Sequence, residues 1–441
     1  MKASSPNTKN RSLWDKPILS TSSIPKLLPF LLLAVTAFSG ILPQVVVASA
    51  AVVIMAFMAV KGNVFLAYPI VVFYYIQLDK LFGVSVFRIF TLLLVFSLLL
   101  YRKRFPFKEQ SYLFPFAVYI LYLALTLSFH NVRTAVFFAF DLVVVFLMIF
   151  IQLRDKDKLR AFFTIFVLTA LVAFFTGLLI GVETDSFLKN DGTSVDRLMA
   201  TFNDPNYMGF FYSVAVFATV TLKLFTKRWR SIIVIALYIM MLTSLSMTAI
   251  IGNLLFWMIY LILFKKQKRK NYRIILGGIL ALILIVALYF IGLWYDNIPV
   301  LSNLSTRIEE KLLALTTNDL NSFTTNRLNL TKRTLDFFMS QTSVFRILFG
   351  GYLANALVVD MPYGNIVAHN DYVDLLVNVG VIGTAILVIF LVGRTVSFYR
   401  KWCKSKESCD AFGFMTKIIW LFYAFTLTLF GEVRFLLFFF L

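Results

Sequence analysis

The sequence predicts an all-α integral membrane protein with about 12–14 transmembrane helices and a large extracytoplasmic loop that contains short helices. Hydrophobic residues make up 60% of the 441 residues, and the mean hydropathy is +0.84, which is far above the range of soluble domains. Apolar runs of roughly 17–22 residues, long enough to cross a bilayer as helices, recur along the chain. The alternating pattern of membrane β-barrel strands is absent, so we expect the spans to be helices.

Thirteen spans follow from these runs, with boundaries good to a few residues. The predicted ranges are 27–42, 44–60, 63–78, 84–101, 111–129, 132–152, 160–181, 206–223, 231–246, 248–264, 274–294, 373–393 and 415–430. The final segment, 435–441, is too short to cross a bilayer. The chain then divides into a cytoplasmic tail (1–26), transmembrane helices 1–11 (27–294) with an outer loop at 183–205, a large extracytoplasmic loop (295–372), and the C-terminal transmembrane helices (373–441).

The basic residues predict the orientation of these spans. With a cytoplasmic N-terminus, the inner segments hold 30 of the 42 lysines and arginines, in line with the excess of positive charge in cytoplasmic loops. The net charge of +20 is therefore interpreted as an anchor to anionic membrane lipids, and no nucleic-acid partner is expected. The two cysteines, Cys403 and Cys409, fall in one inner loop, where reduced thiols are the default. With only two histidines in the chain, a zinc site is not expected.

One of the two histidines, His369, ends the longest polar interval and precedes the apolar run 377–392. An imidazole at a membrane–water boundary is a candidate acid or base. The same stretch also fits a simple helix start, because Asn370 can cap the next helix and Asp371 and Asp374 suit its first turn. Either carboxylate can equally orient the imidazole. The residues alone leave these interpretations open.

Several arginines are predicted on the outer side, against the charge bias. They include Arg197, Arg327 and Arg333. A guanidinium binds phosphate through two parallel hydrogen bonds, so an anionic lipid-linked substrate explains them. Ordinary loop charges paired with nearby carboxylates explain them as well. Arg327 opens a predicted helix at 326–349, which Gly350-Gly351 should stop.

Three segments resemble, in the same order, motifs of the O-antigen ligase and polysaccharide polymerase superfamily (the Wzy- and WaaL-type proteins). The first is 197–209, where Arg197 precedes Thr-Phe-Asn-Asp-Pro-Asn at the start of a predicted span. The second is Asn326-Arg327, followed by the predicted helix and the glycine pair. The third is Ala368-His-Asn-Asp-Tyr-Val-Asp-Leu-Leu376 with Gly380-Val-Ile-Gly383. The resemblance covers roughly 195–385, while 1–180 matches only as generic spans.

Two positions depart from the pattern of that superfamily. Ser244-Leu-Ser-Met-Thr248 carries Met247 where Ser-x-Ser-Arg would place an arginine. The glycines Gly350 and Gly351 are adjacent, whereas the family pattern is Gly-x-Gly. The first departure removes one expected phosphate contact.

The resemblance implies a metal-independent, inverting glycosyltransferase with a GT-C-like membrane fold and no cofactor. Its donor would be a sugar chain on undecaprenyl pyrophosphate, and its acceptor the hydroxyl of another lipid-linked repeat unit. The reaction would take place on the outer face of a bacterial plasma (inner) membrane and build O-antigen, capsule or exopolysaccharide. The flippase and the chain-length regulator of the same pathway would be further partners.

The resemblance also implies roles for individual residues. Arg197 and Arg327 would hold the pyrophosphate leaving group, and His369 would be the general base. Asp371 or Asp374 would orient His369. Further contacts with sugar or phosphate are expected from Asn206, Tyr207, Asn370, Tyr372 and Arg333.

Two other functions remain as alternatives. A ligase that moves finished polymer to another acceptor needs the same leaving group and base, so the named residues do not exclude it. A flippase or transporter for lipid-linked sugars belongs to a different class. Transporters tend to show repeated halves and broken midplane helices, and the sequence shows neither clearly.

Overall fold

The computed structural model describes residues 24–101, 155–180, 185–188, 194–197, 199–202, 204–264, 309, 312–314, 316–319, 327–350, 359–361, 364–366 and 370–427. Within these ranges, side chains are described except at 24–26, 185–197 and 359–366. Helices form most of this part of the chain. They are α1 Ile24–Ala37, α2 Gln44–Val60, α3 Tyr68–Phe73, α4 Val86–Leu100, α5 Lys156–Ile180, α6 Pro205–Thr221, α7 Lys227–Thr243, α8 Met247–Phe264, α9 Arg327–Met339, α10 Val344–Phe349, α11 Asp371–Ser405 and α12 Ser408–Tyr423.

Three short antiparallel hairpins accompany the helices. They are β1 Lys80–Leu81 with β2 Val84–Ser85, β3 Asp185–Leu188 with β4 Ser194–Arg197, and β5 Val359–Met361 with β6 Gly364–Ile366. The second hairpin lies in the predicted outer loop and the third in the predicted large loop. The short helices α9 and α10 fall within 295–372, the range of the predicted large loop, whereas the hairpins were not predicted.

Three helices, α5, α8 and α11, are long and apolar enough to cross a membrane by length and composition. The fold is thus compatible with an all-α membrane protein. The predicted spans 111–129, 132–152 and 274–294 lie outside the described residues, as does the segment 435–441.

Aromatic side chains fill the core between α3, α5 and α6. The ring centroid of Phe73 lies 5.0 Å from that of Phe166 and 5.3 Å from that of Phe211. All six residues of α3 are buried. This helix is much shorter than the predicted span 63–78, because a 3₁₀ turn at Val64–Ala67 precedes it and the helix ends at Phe73. A six-residue helix is too short to cross a bilayer by itself.

Other helices also differ from their predicted ranges. Helix α12 begins and ends seven residues before the predicted span 415–430. The predicted helix 326–349 is split into α9 and α10, and Ser343 caps the second piece, its side chain accepting a hydrogen bond from the Arg346 amide. Helix α11 extends to Ser405, twelve residues past the predicted end of its span, and it is kinked at Gly380. The glycine has φ 68°, a left-handed conformation that a residue with a Cβ adopts only with strain.

One end of the helices, here called the basic end, holds contacts among four predicted inner segments. The Tyr101 hydroxyl donates to the Val60 carbonyl, which joins the ends of α4 and α2. Lys156 at the start of α5 forms an ion pair with Glu407, which lies between α11 and α12. These contacts place the start of α5 beside the turn between α11 and α12.

The opposite end, here called the loop end, holds the N-termini of α6 and α11. The Asp371 amide donates to the Ala424 carbonyl at 2.8 Å, joining the start of α11 to the residue after α12. The turn Ser244–Ser246 between α7 and α8 lies beside the start of α6. All of the predicted site residues with a described position are at this end or on α9, which packs against α11.

Candidate functional site

The segment from Arg197 to Asn206 is held by buried contacts. Arg197 lies in β4, opposite Asp185 in the register of the hairpin, and its side chain is outside the described part. Phe202 is buried and stacks on Phe211, with ring centroids 4.9 Å apart. Ala200 has φ 51° and lies so close to α5 that a Cβ on Gly177 would be 2.6 Å from its Cα. The Thr-Phe pair of the motif therefore anchors this segment in the core.

The Asp-Pro-Asn part of the same motif is a helix start. Asp204 is the N-cap of α6, and its carboxylate accepts a hydrogen bond from the Asn206 amide at 2.6 Å. Pro205 occupies the first helical turn, where its missing N–H has no cost. The side chain of Asn206 is buried, and Tyr207 beside it is half-buried. The sequence of this motif thus fixes where α6 begins and turns Asn206 inward.

Asn206 is paired with the turn between α7 and α8. The Ser246 hydroxyl donates to the Asn206 Oδ1 at 3.0 Å. This turn is buried although it is polar, and Leu245 at its centre has φ 50°. Ser246 belongs to the Ser-x-Ser segment, so two segments noted in the sequence meet here. Sequence reasoning did not name Ser246 as a site residue.

The start of α11 carries four of the predicted site residues. Asn370 is the N-cap, and its Oδ1 accepts from the Tyr372 amide at 3.1 Å. Asp371 and Asp374 are buried, at 2% and 6% exposure. The Tyr372 hydroxyl donates to the Leu421 carbonyl at 2.9 Å, so α12 holds this turn in place. The capping role foreseen for Asn370 is confirmed.

His369 itself lies outside the described residues. It is covalently next to Asn370, whose backbone and side chain are held by the helix start. The proposed base is therefore within one residue of a helix N-terminus, where the partial positive charge of the peptide dipoles is concentrated. Its relation to Asp371 and Asp374 stays a prediction.

Arg327 and Arg333 lie on different faces of α9. Arg327 is half-buried and shares its face with Thr334 and Phe338, which are seven and eleven residues further on. Phe338 packs against Val377 in the first segment of α11. Arg333 is exposed. The structure therefore brings the Arg327 face of α9 toward α11 and leaves Arg333 on another side of the helix.

Helix α10 ends against the kink of α11. Gly350, with φ 74°, terminates α10. A Cβ on Gly380 would overlap the Leu348 carbonyl, and a Cβ on Gly350 would overlap the Asn378 carbonyl. The glycines of the second and third resembling segments thus allow α10 and α11 to approach backbone to backbone.

A buried polar cluster of Ser213, Asn253 and Tyr423 links α6, α8 and α12. The Asn253 Nδ2 donates to the Ser213 Oγ at 2.7 Å, and the Ser213 Oγ is 2.9 Å from the Tyr423 hydroxyl. Tyr423 also contacts Phe210, with ring centroids 5.0 Å apart, and it precedes Ala424, the acceptor for the start of α11. The starts of α6 and α11 are therefore connected through Tyr423. A sequence signal existed, because polar Ser213 and Asn253 interrupt apolar helices.

The described residues contain no group of three or more His, Cys, Asp or Glu side chains that could hold a metal ion. The carboxylates at Asp185, Asp191 and Asp196 and the imidazole of His369 are outside that search. The expectation of a metal-independent reaction thus stays a prediction.

Comparison with models of known protein families finds no match to this chain. Comparison with curated proteins also finds no match.

Proposed function

We propose that this chain is an integral membrane glycosyltransferase that polymerises lipid-linked repeat units of a bacterial polysaccharide. The observation that carries the proposal is the meeting of three separate segments at the loop end. The start of α6, the start of α11 beside His369, and the Arg327 face of α9 are joined by direct packing or by the cluster around Tyr423. These are the segments in which the sequence resembles known polymerases and ligases.

The proposed orientation places the loop end outside the cell and the N-terminus in the cytoplasm. The basic end supports this orientation, because its contacts join segments that are predicted to be inner from their lysines and arginines. The Lys158 Nζ also lies 5.9 Å from the ring centroid of Phe65, in the chain segment after Lys61. These contacts thus bring together the same segments that the excess of lysine and arginine predicts to be cytoplasmic.

The proposed reaction is a single displacement at the anomeric carbon of the donor. An acceptor hydroxyl oxygen forms the new glycosidic bond while the bond from the anomeric carbon to the pyrophosphate oxygen breaks. His369 takes the hydroxyl proton, and the negative charge that develops on the undecaprenyl pyrophosphate is held by Arg197 and Arg327. Attack from the side opposite the leaving group inverts the anomeric centre.

The helix starts add to this charge stabilisation. Both α6 and α11 direct their N-termini to the loop end, where the partial positive charge of the peptide dipoles favours an anion. The buried carboxylates Asp371 and Asp374 are close in sequence to His369 and would favour its protonated form as the proton arrives. The outer leaflet supplies the lipid-linked substrate directly to this end.

The kink at Gly380 favours a second candidate, a transporter for lipid-linked sugars, because transporters use broken helices at their substrate sites. In this chain the break is filled by the backbone of α10. A short loop helix packed into the break favours a fixed site over a moving gate. The experiment below separates the two candidates.

The test is the length of lipid-linked glycans in cells that carry His369→Ala, beside His130→Ala, which alters the only other histidine. Glycans are extracted and sized, and the amount of each variant in the membrane is measured. We expect His369→Ala to accumulate single repeat units and His130→Ala to make normal polymer. Normal polymer from well-expressed His369→Ala contradicts the role of His369. Full-length polymer that stays on the lipid indicates a ligase, and repeat units trapped on the cytoplasmic side indicate a transporter.

A further inference from the structure

Helix α9 carries an exposed apolar stripe beside the face that packs on α11. Leu328, Leu335 and Met339 are spaced by seven and four residues, which puts them on one side of the helix. They are 46%, 39% and 73% exposed. The buried residues Thr334 and Phe338 lie on the adjacent face. The helix therefore has one apolar side that packs on α11 and a second apolar side that is exposed.

Helix α10 continues this pattern. Val344, Phe345 and Leu348 are 68%, 49% and 36% exposed, while Ile347 packs against the cluster formed by α9 and α11. Soluble proteins rarely expose so many large apolar side chains in one short segment. Such a face fits an apolar surrounding.

The position of α10 along α11 identifies that partner. The Leu348 carbonyl lies directly against Gly380, which is nine residues, or about 14 Å, beyond the start of α11 at 1.5 Å per residue. That depth falls inside the predicted span 373–393. Immediately after Gly380, the outward side chains of α11 are apolar, beginning with Val381 at 42% exposure and continuing with Ile389 at 72%. The exposed face of α10 therefore borders the lipid-facing surface of a helix long enough to cross the membrane.

We propose that α9 and α10 lie in the outer leaflet of the membrane, with the stripe of α9 and the exposed face of α10 in contact with acyl chains. The inference rests on the membrane orientation in the proposed function and deepens it. The exposed Asp336 lies beside the stripe. The exposed Lys332 lies on the same side of α9 as the stripe, four residues after Leu328, where a long side chain can carry its charge to the lipid phosphates. Arg327, at the start of α9, would then stand at the level of lipid phosphates, where the pyrophosphate of a lipid-linked donor also lies.

The test uses spin labels in vesicles of phosphatidylethanolamine and phosphatidylglycerol. Single cysteines replace Leu335, Met339 or Phe345, and Asp336 serves as the control on the polar side of α9. The background is a full-length chain with Cys403→Ser and Cys409→Ala. Collision rates of each label are measured with oxygen, which concentrates in the bilayer, and with a water-soluble nickel chelate.

We expect a higher oxygen-to-nickel ratio at positions 335, 339 and 345 than at 336. Nickel accessibility at 339 equal to that at 336 overturns the proposal. Dipolar broadening between labels at 339 also overturns it, because a second copy of the chain would then cover the stripe. Polymer formation is measured on the wild-type chain and on the same variants. If the labels contact lipid but the wild-type chain has no polymerase activity, the proposed function is wrong, while the proposed location of α9 and α10 in the membrane still holds.

Discussion

Gly350 and Gly380 meet so closely that a Cβ on Gly380 would lie 2.5 Å from the amide nitrogen of Gly350. Both residues have positive φ angles, 74° and 68°. The contact joins the end of α10 to the kink of α11. It therefore sets the position of the whole α9–α10 segment, including Arg327, relative to the helix that begins beside His369.

Alanine at either glycine should disrupt this contact. Gly350→Ala and Gly380→Ala each add a methyl group that overlaps backbone atoms and force a residue with a Cβ into a left-handed conformation, which costs on the order of 1–3 kcal/mol. We expect a lower thermal unfolding midpoint in detergent and shorter polymer for both variants. Gly393→Ala is the matched control in α11, because a Cβ there meets nothing within 4 Å. Equal stability of all three variants would contradict the close contact.

Substitutions of Asn370 can separate its capping role from contact with substrate. Asn370→Ala removes the oxygen that accepts from the Tyr372 amide and should cost about 1 kcal/mol of stability. Asn370→Ser keeps a capping oxygen and should retain both the unfolding midpoint and polymer formation. A serine variant that is stable but makes no polymer would show that the amide itself contacts the substrate.

Arg327 should be sensitive to the shape of its side chain as well as to its charge. Arg327→Lys keeps the positive charge but loses the planar fork that holds a phosphate through two hydrogen bonds. We expect polymer synthesis in membrane vesicles to fall by about 10²–10³-fold for Arg327→Ala, with a partial loss for the lysine variant. Asp336→Asn, an exposed position on α9, is the control and should retain activity. A fully active alanine variant would remove Arg327 from the proposed site.

The Ser213–Tyr423 hydrogen bond should be measurable by a double-mutant cycle. Ser213→Ala, Tyr423→Phe and the double variant are compared by unfolding in detergent. Because side-chain hydrogen bonds between membrane helices contribute about 0.6 kcal/mol on average and up to about 1.7, we expect a coupling energy in that range. Additive effects of the two substitutions would mean that the 2.9 Å contact contributes no stability.

The two cysteines report on orientation. In single-cysteine variants, a membrane-impermeant maleimide should label neither residue in intact cells and should label Cys403 in inverted vesicles. Labelling of either cysteine in intact cells would show that the orientation is opposite to the proposed one.

Cys409 should react more slowly than the exposed Cys403. Burial raises the pKa of the Cys409 thiol, with nearby Arg160 and Lys156 opposing the shift. Since the thiolate is the reactive form, a raised pKa leaves less of it at neutral pH, and the rate should rise about tenfold per pH unit until the pH reaches that pKa. A rate at Cys409 that is independent of pH between 7 and 8 would contradict this shift.

The sequence predicted several elements well because their signals are local. Helix α6 begins at Pro205, directly after its N-cap Asp204, and α11 begins directly after its N-cap Asn370. Gly350 ends α10 as predicted. The short length of α3 was missed, since an apolar run does not reveal that its first residues form a 3₁₀ turn. The split between α9 and α10 was also missed, because the polar residues 340–343 fit a helix surface as well as a turn.

By itself, the sequence determined the apolar helical character of this protein, the division of its basic residues between segments, and the order of its polar motifs. These properties depend on composition and on neighbours along the chain. Only the tertiary structure decided that Ser246 pairs with Asn206, forty residues away, and that Tyr423 reaches Ser213 across 210 residues. The backbone contact between Gly350 and Gly380 is of the same kind. Such contacts arise from how helices pack, and packing depends on the shapes of surfaces that are distant in the chain.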